Sequence, residues 1–291
     1  MNRIHLVECP RDALQGWPFP ISTSDKIAYY RTLLDVGFDT LDLGSFVSPK
    51  AVPSMANTDK VLNVLEDEGL LTKDGTRALV IVANERGAKK ASNFESVNDI
   101  GFPLSLSESF QQRNTGASIE EAFIRLEKIQ NTCVNHSKRL VVYLSMGFGN
   151  PYGEAWHPEM LTDFSHRLNS DLDVKVIALS DTVGNADEKT VEKSFSVLTK
   201  ELPNIEFGAH MHLHVTAGLG KIEAALRGGC LRFDGAMRGI GGCPMAQDDL
   251  VGNAPTERMV ELFTQNGLWN VANDRAWSQA QSMAASIFAD H

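Results

Sequence analysis

The chain has 291 residues, of which 43% are hydrophobic and 22% charged, a composition that folds around a core and excludes disorder as the main state. With 27 Lys and Arg against 37 Asp and Glu, the formal net charge is −10, which argues against non-specific binding of nucleic acid or an anionic membrane surface. The longest apolar runs, Leu79–Ala83 and Leu140–Met146, fall short of the roughly 18 residues that span a bilayer, so no membrane partner is expected.

In chain order, the patterning predicts a strand over Arg3–Glu8, a helix over Ser24–Asp35 closed by Gly37, a strand over Thr40–Leu43 and a helix over Thr58–Leu65. A strand over Ala78–Val82, a helix over Glu85–Asn93 and a strand over Pro103–Leu106 follow. The helix over Ser118–Asn131 opens on a Ser118/Glu121 capping box. Next come a strand over Leu140–Ser145, a helix over Pro158–Leu168, a strand over Val174–Ser180 and a helix over Asp187–Leu202. The strands Glu206–His212 and Arg232–Met237 flank a helix over Gly218–Arg227, and a helix over Thr256–Gln265 comes after them. Eight β/α units predict the α/β class and a (β/α)8 TIM barrel rather than an open doubly wound sheet. No linker divides residues 1–291, which read as one barrel domain with a C-terminal helical extension over 269–291, its helix at Arg275–Ala289. The N-terminus shows no signal-peptide pattern, and Cys9, Cys133, Cys230 and Cys243 form no CxxC, so a cytoplasmic protein with free thiols is expected.

In such a barrel, functional groups gather where strands end. Glu8, Arg11 and Asp12 follow the first predicted strand, Asp42 and Ser45 the second, Asp181 the sixth, His210 and His212 the seventh, and Cys243 and Asn253 the eighth. Residues two apart on a strand face the same side. His210 and His212 can therefore share a divalent ion, whereas at His214 the loop is expected to have begun. Asp12 and Asn253 would add oxygen ligands, a mixed set that suits Mg2+ or Mn2+ and leaves Zn2+ or Co2+ open. Arg11 could place a fixed cation where charge develops on an oxygen; taken alone, the adjacent Arg11-Asp12 reads first as a structural ion pair.

The stretch Gly239-Ile-Gly-Gly-Cys-Pro244 has backbone freedom to bend sharply, and it would carry the Cys243 thiol to the barrel mouth as a proton donor or acceptor. Taken alone, it also fits a tight turn with an incidental cysteine. No GxGxxG follows the first strand and no GxxxxGK[ST] occurs, which disfavours a Rossmann dinucleotide site and a P-loop.

Five segments succeed one another along the chain: Val7-Glu-Cys-Pro-Arg-Asp-Ala-Leu-Gln15, Ser45-Phe-Val-Ser-Pro-Lys50, Ser180-Asp-Thr-Val-Gly184, Ala209-His-Met-His212 and Gly241-Gly-Cys-Pro-Met-Ala-Gln247, the last followed by Gly252-Asn253 and Thr256-Glu257. Together this set resembles the 3-hydroxy-3-methylglutaryl-CoA lyase family. The resemblance implies that Asp12, His210, His212 and Asn253 bind the metal, that Arg11 neutralises an enolate oxygen and that Cys243 protonates the carbanion of acetyl-CoA. It also implies acid/base or supporting roles for Glu8, Gln15, Asp42, Asp181 and Glu257, with Gln15, Ser45 and Lys50 as substrate contacts. An acyl-CoA substrate follows from it, and a homodimer is one expectation for the assembly. The chain departs from the family pattern at Cys9, Ala13, Gly16-Trp17, Asp42 and Leu213-His-Val-Thr-Ala-Gly218, and in the acidic Asp248 and Asp249 between Cys243 and Asn253. A related lyase for another 3-hydroxyacyl-CoA, a condensing or carboxyl-transferring barrel, and a catalytically silent barrel remain as alternatives.

Overall fold

In the computed structural model, which describes residues 3–72, 75–214, 216–242 and 251–289, β1 (His5–Glu8) pairs with β2 (Thr40–Ser45) on one side and β8 (Arg232–Gly235) on the other. The sheet continues in parallel through β3 (Arg77–Ile81), β4 (Val97–Ser105), β5 (Arg139–Ser145), β6 (Val176–Asp181) and β7 (Glu206–His214), and β7 pairs with β8 to close it. The result is the (β/α)8 barrel expected from the alternation of patterns. Around it lie α1 (Pro10–Gln15), α2 (Thr23–Val36), α3 (Thr58–Asp67), α4 (Glu85–Ser92), α5 (Glu108–Thr115) and α6 (Ile119–Asn135). The ring continues with α7 (Glu159–Leu172), α8 (Glu188–Glu201), α9 (Gly220–Arg227) and α10 (Thr256–Gln265), and the extra C-terminal helix α11 (Asp274–Ile287) packs on α2. Among the described residues, no helix is long and apolar enough to cross a membrane.

Strand alternation sorts the core. Leu6, Leu41, Val80, Ile100, Phe102, Val142, Ile177 and Phe233 face the helices and join one large apolar cluster with them. The opposite parity faces inward, where Leu79, Ile81, Val141, Tyr143, Val176 and Ala178 form a small cluster inside the barrel. Local chemistry agrees with this packing. Ser118 and Glu121 form the reciprocal capping box, and Gly37, at φ +89°, ends α2 where a Cβ would meet the Ala272 side chain at 2.6 Å.

The structure corrects several boundaries. Strand β4 begins at Val97, six residues before the expected start, because its polar Asp99 points inward onto Arg77 and Arg139 and breaks the apolar pattern. Pro103 is tolerated there because the ladder to β3 ends at Gly101, so its missing N–H faces no partner strand on that side. Helices α1 and α5 were not expected, and β8 stops at Gly235. Strand β7 runs on through His214, where a loop was expected, because β9 (Val251–Asn253) returns antiparallel to it with His212 opposite Asn253. His214 is exposed and bonds Thr216, so it stays out of the site.

Candidate active site

At the carboxy-terminal ends of the strands, a cleft of about 420 Å³ is lined by Arg11, Asp12, Gln15, Ser45, His210 and His212, among others. Arg11 and Asp12 reach it from the one-turn helix α1. There Pro10 begins the helix without needing an N–H, and Asp12 lies in its acid-favouring first turn. The Arg11 side chain is locked: Nε donates to Asp42 Oδ2 at 2.9 Å and Nη2 to the same oxygen at 2.5 Å, while Nη1 donates to Asp12 Oδ1 at 2.8 Å and Gln15 Oε1 at 3.0 Å. Burial alone would lower the guanidinium pKa, but the charges of Asp42 and Asp12 outweigh it and raise it.

His210, His212 and Asp12 offer ligand atoms that all lie within 4.8 Å of one another. The two imidazoles face each other through Nε2 at 3.3 Å. His212 Nδ1 donates to the Thr182 carbonyl at 2.9 Å, and His210 Nδ1 lies 3.4 Å from Asp234 Oδ2. With both outer nitrogens turned to acceptors, two lone pairs point at each other, and only a proton or a cation between them relieves the repulsion. Burial and the charge of His210 push His212 down to about 4, so it is neutral at ordinary pH, the form that ligates metal. Burial also pulls His210 down, yet the bond to and charge of Asp234 leave it raised. Asp12 would be raised by burial, but Arg11 and the two histidines hold it below the usual carboxylate range.

Four carboxyl groups, Glu8, Asp12, Asp42 and Asp234, converge on this end of the barrel around the buried Cys9, whose thiol is raised by burial first and then by all four charges. Among the described residues Arg11 is the one guanidinium bonded within that group. Buried oxygens Asp42 Oδ1 and Asp234 Oδ1 have no hydrogen-bond partner. Excess acid, opposed imidazole lone pairs and mixed N/O donors fit a divalent cation.

The remaining expected residues divide. Asn253 sits beside the cluster, but it is the amide NH2 that reaches Asp12 Oδ2, at 2.8 Å, and the Ile240 carbonyl, at 2.9 Å. Burial pushes Asp42 up to about 6 despite Arg11. Asp181 points out of the cleft, its carboxylate committed to Lys221 Nζ at 2.5 Å and to the backbone N–H groups of Asn185 and Ala186. Glu8 pins the base of the glycine-rich segment, accepting from Met237 N–H and the Thr256 hydroxyl, and burial raises it to about 8. Glu257 accepts from the N–H of Arg238, whose φ is +63°, and supports the same turn. Lys50 is exposed on the turn after β2 and does not line the cleft. Cys243 lies outside the described residues; Gly242, immediately before it, lines the cleft. At Gly241, φ is +91° and a Cβ would come within 2.8 Å of both Asn253 Nδ2 and the Asp12 carbonyl, so that close approach needs glycine.

Sequence reasoning missed Tyr143, which meets the His210 ring edge-on at 5.5 Å, and Asp234. Parity could have found both, since each lies two residues from another inward-facing position. It also missed Arg113, which stacks on Tyr152 at 4.7 Å and lines the cleft from the unexpected helix α5.

Comparison with known proteins sets this geometry among relatives. The HMGL-like family model matches residues 4–283. A Pseudomonas aeruginosa enzyme named 3-hydroxy-3-isohexenylglutaryl-CoA/hydroxy-methylglutaryl-CoA lyase is 30% identical over 268 residues, 92% of this chain and 86% of that one. The (R)-citramalyl-CoA lyase of Chloroflexus aurantiacus is 28% identical over 274 residues, 92% and 85% of the two chains. The solved HMG-CoA lyase of Brucella melitensis matches all of both chains, each covered to 100%, with a TM-score of 0.89 and 27% identity.

Proposed function

The chain belongs to the HMGL-like family of metal-dependent carbon–carbon lyases, and from that premise we propose that it cleaves 3-hydroxy-3-methylglutaryl-CoA to acetyl-CoA and acetoacetate. The observation that carries this reading is the convergence of Asp12, His210 and His212 within 4.8 Å, with Arg11 bonded to Asp12 at the same cleft. Asp12, His210 and His212 would hold the cation with Asn253 beside them, a mixed nitrogen and oxygen set that accommodates Mg2+ or Mn2+ and equally Zn2+ or Co2+. When bound, the ion supplies Lewis-acid polarisation and lowers the pKa of the substrate hydroxyl.

The protein's own groups do the rest, beginning with a base in the cleft that takes the C3 hydroxyl proton as the C2–C3 bond breaks and acetoacetate leaves. Arg11, immobilised by two carboxylates, presents a fixed cation to the thioester oxygen as the C2–C3 pair moves onto it, and a charge already in place needs no reorganisation in the transition state. Asp42 acts as a positioning residue by clamping Arg11 from behind. Cys243, the residue after cleft-lining Gly242, is the proposed donor of the proton that turns the thioester enolate into acetyl-CoA. Ser45, Gln15 and Arg113 line the path along which an acyl-CoA would enter.

A second reading concerns the acyl group. Val47, Val52, Ile81, Pro103 and Phe110 give the cleft an apolar wall, which suits a 3-substituent longer than methyl. Purified protein with Mg2+ is incubated with 3-hydroxy-3-methylglutaryl-CoA, its isohexenyl analogue and citramalyl-CoA, and the products are identified by mass spectrometry. Acetyl-CoA and acetoacetate from the first substrate support the proposal, and preference for another ester moves the assignment to that one. No cleavage of any ester sinks the lyase reading.

A further inference from the structure

Arg232 is fully buried inside the barrel, on β8, between the charged amino-terminal end and the candidate site. One side of it is anchored downward. Its Nη1 donates to His5 Nε2 at 3.1 Å, His5 Nδ1 in turn faces Glu206 at 3.0 Å, and Glu206 Oε1 lies 3.8 Å from Arg232 itself. The other side looks upward, with Nε 3.8 Å from Asp234 Oδ1, and neither Nε nor Nη2 has a hydrogen-bond partner. Asp234, 1% exposed, turns its second oxygen toward His210 Nδ1. Room for the arginine is built into the neighbouring strand. At Gly208, directly paired with Arg232, a Cβ would stand 3.0 Å from Arg232 Cδ.

We propose that Arg232 is a positioning residue for the candidate metal site: it holds the Asp234 carboxylate against His210 Nδ1, so that His210 keeps its proton there and presents Nε2 to the cation. A buried carboxylate with an orphan oxygen has no other described cation this close to hold its orientation, and a ligating histidine without an oriented acceptor loses control of its tautomer and ring rotation. The inference rests on the metal-site reading, and its test separates the two.

Mn2+ affinity is measured by calorimetry on wild type, Arg232→Met, Asp234→Asn and the double variant, with the His210 tautomer read by 15N NMR in metal-free protein. Affinity should fall about 10- to 100-fold in Arg232→Met, the scale for losing an outer-shell partner. The double variant should lose little more than either single one, and wild-type His210 should carry its proton on Nδ1. Arg139→Gln, which disturbs the lower network without touching Asp234, should leave affinity unchanged. Should Arg232→Met fail to fold, Arg232→Gln, able to keep a bond to His5, takes its place. Unchanged Mn2+ affinity in the folded Arg232 variant, additive losses in the double variant, or an Nε2-protonated wild-type His210 each overturn the proposal. A wild type that binds no Mn2+ overturns the metal reading instead, while the tautomer measurement still decides the link from Arg232 to His210.

Discussion

Both ends of the barrel interior are charged, and they are built on opposite accounts. At the amino-terminal end the two carboxylates are fully engaged: Asp99 accepts from Arg77 and Arg139, and Glu206 from His5 and Arg139. Although burial opposes it, this pairing holds both carboxylates at about 2. At the carboxy-terminal end four carboxyl groups crowd around one hydrogen-bonded guanidinium, two buried oxygens lack hydrogen-bond partners, and burial lifts Glu8 to about 8 and Asp42 to about 6. A closed ion network plugs a barrel; an open one asks for a cation. The contrast separates stability from function in one set of inward-facing positions.

The sharpest break between the two ends comes from His212→Ala. It should abolish metal-dependent turnover and the calorimetric signal for Mg2+ or Mn2+ while the protein stays folded, because a ligand is lost and the apolar core is untouched. Retained metal affinity would remove His212 from the site. Arg11→Met should lower kcat by about two to three orders of magnitude, the scale for one lost charge-stabilising donor, with KM changed far less. Near-normal kcat would return Arg11 to a structural ion pair.

At the other end the effect should be on stability alone. Asp99→Ala strips Arg77 of its carboxylate and leaves Arg139 with Glu206 alone, and it should cost roughly 3 kcal/mol in urea unfolding, with metal affinity unchanged. A pH series sharpens the same comparison. Asp99 and Glu206, depressed to about 2, contribute stability that is present above the ordinary carboxylate range and lost as pH falls through about 2. Glu8, raised to about 8, has the opposite sign: its contribution is full below the unfolded value and is lost as pH rises toward 8. Glu8→Gln keeps one acceptor for Met237 N–H and reverses the other bond, its NH2 donating to the Thr256 hydroxyl, so it should remove that loss and raise Tm at pH 8 by a few degrees. A variant that melts lower at pH 8 would show that Glu8 is needed as a charge. The smallest effect is expected between the ends, where Gly208→Ala crowds Arg232 and should cost about 1 kcal/mol in thermal unfolding.

Much of this was legible in one dimension. The alternation of β-branched runs with amphipathic stretches implied eight β/α units, and strand-end positions singled out Arg11, Asp12, His210 and His212, because local periodicity is written residue by residue. The same logic failed where an inward-facing strand is polar. Asp99 and the neighbouring Asn98 hid the first half of β4, and the polar Arg232 and Asp234 of β8 were passed over as chemistry. Asp181 looked like a site acid by strand-end position and Glu257 by family resemblance, yet both carboxylates bond turn backbone, since neither signal says which way a carboxylate points.

The sequence by itself determined the barrel, its extra helix and the metal-type residues, because hydrophobic period and short spacings such as His-x-His act over a few residues. Only the tertiary structure decided which charges are paired. Arg232 finds His5 across 227 positions and Asn253 finds Asp12 across 241, and closing the barrel sets those distances. Whether a buried carboxylate is a strut or a reactive group depends on that closure, since its pKa follows from burial and from neighbours that no local pattern records.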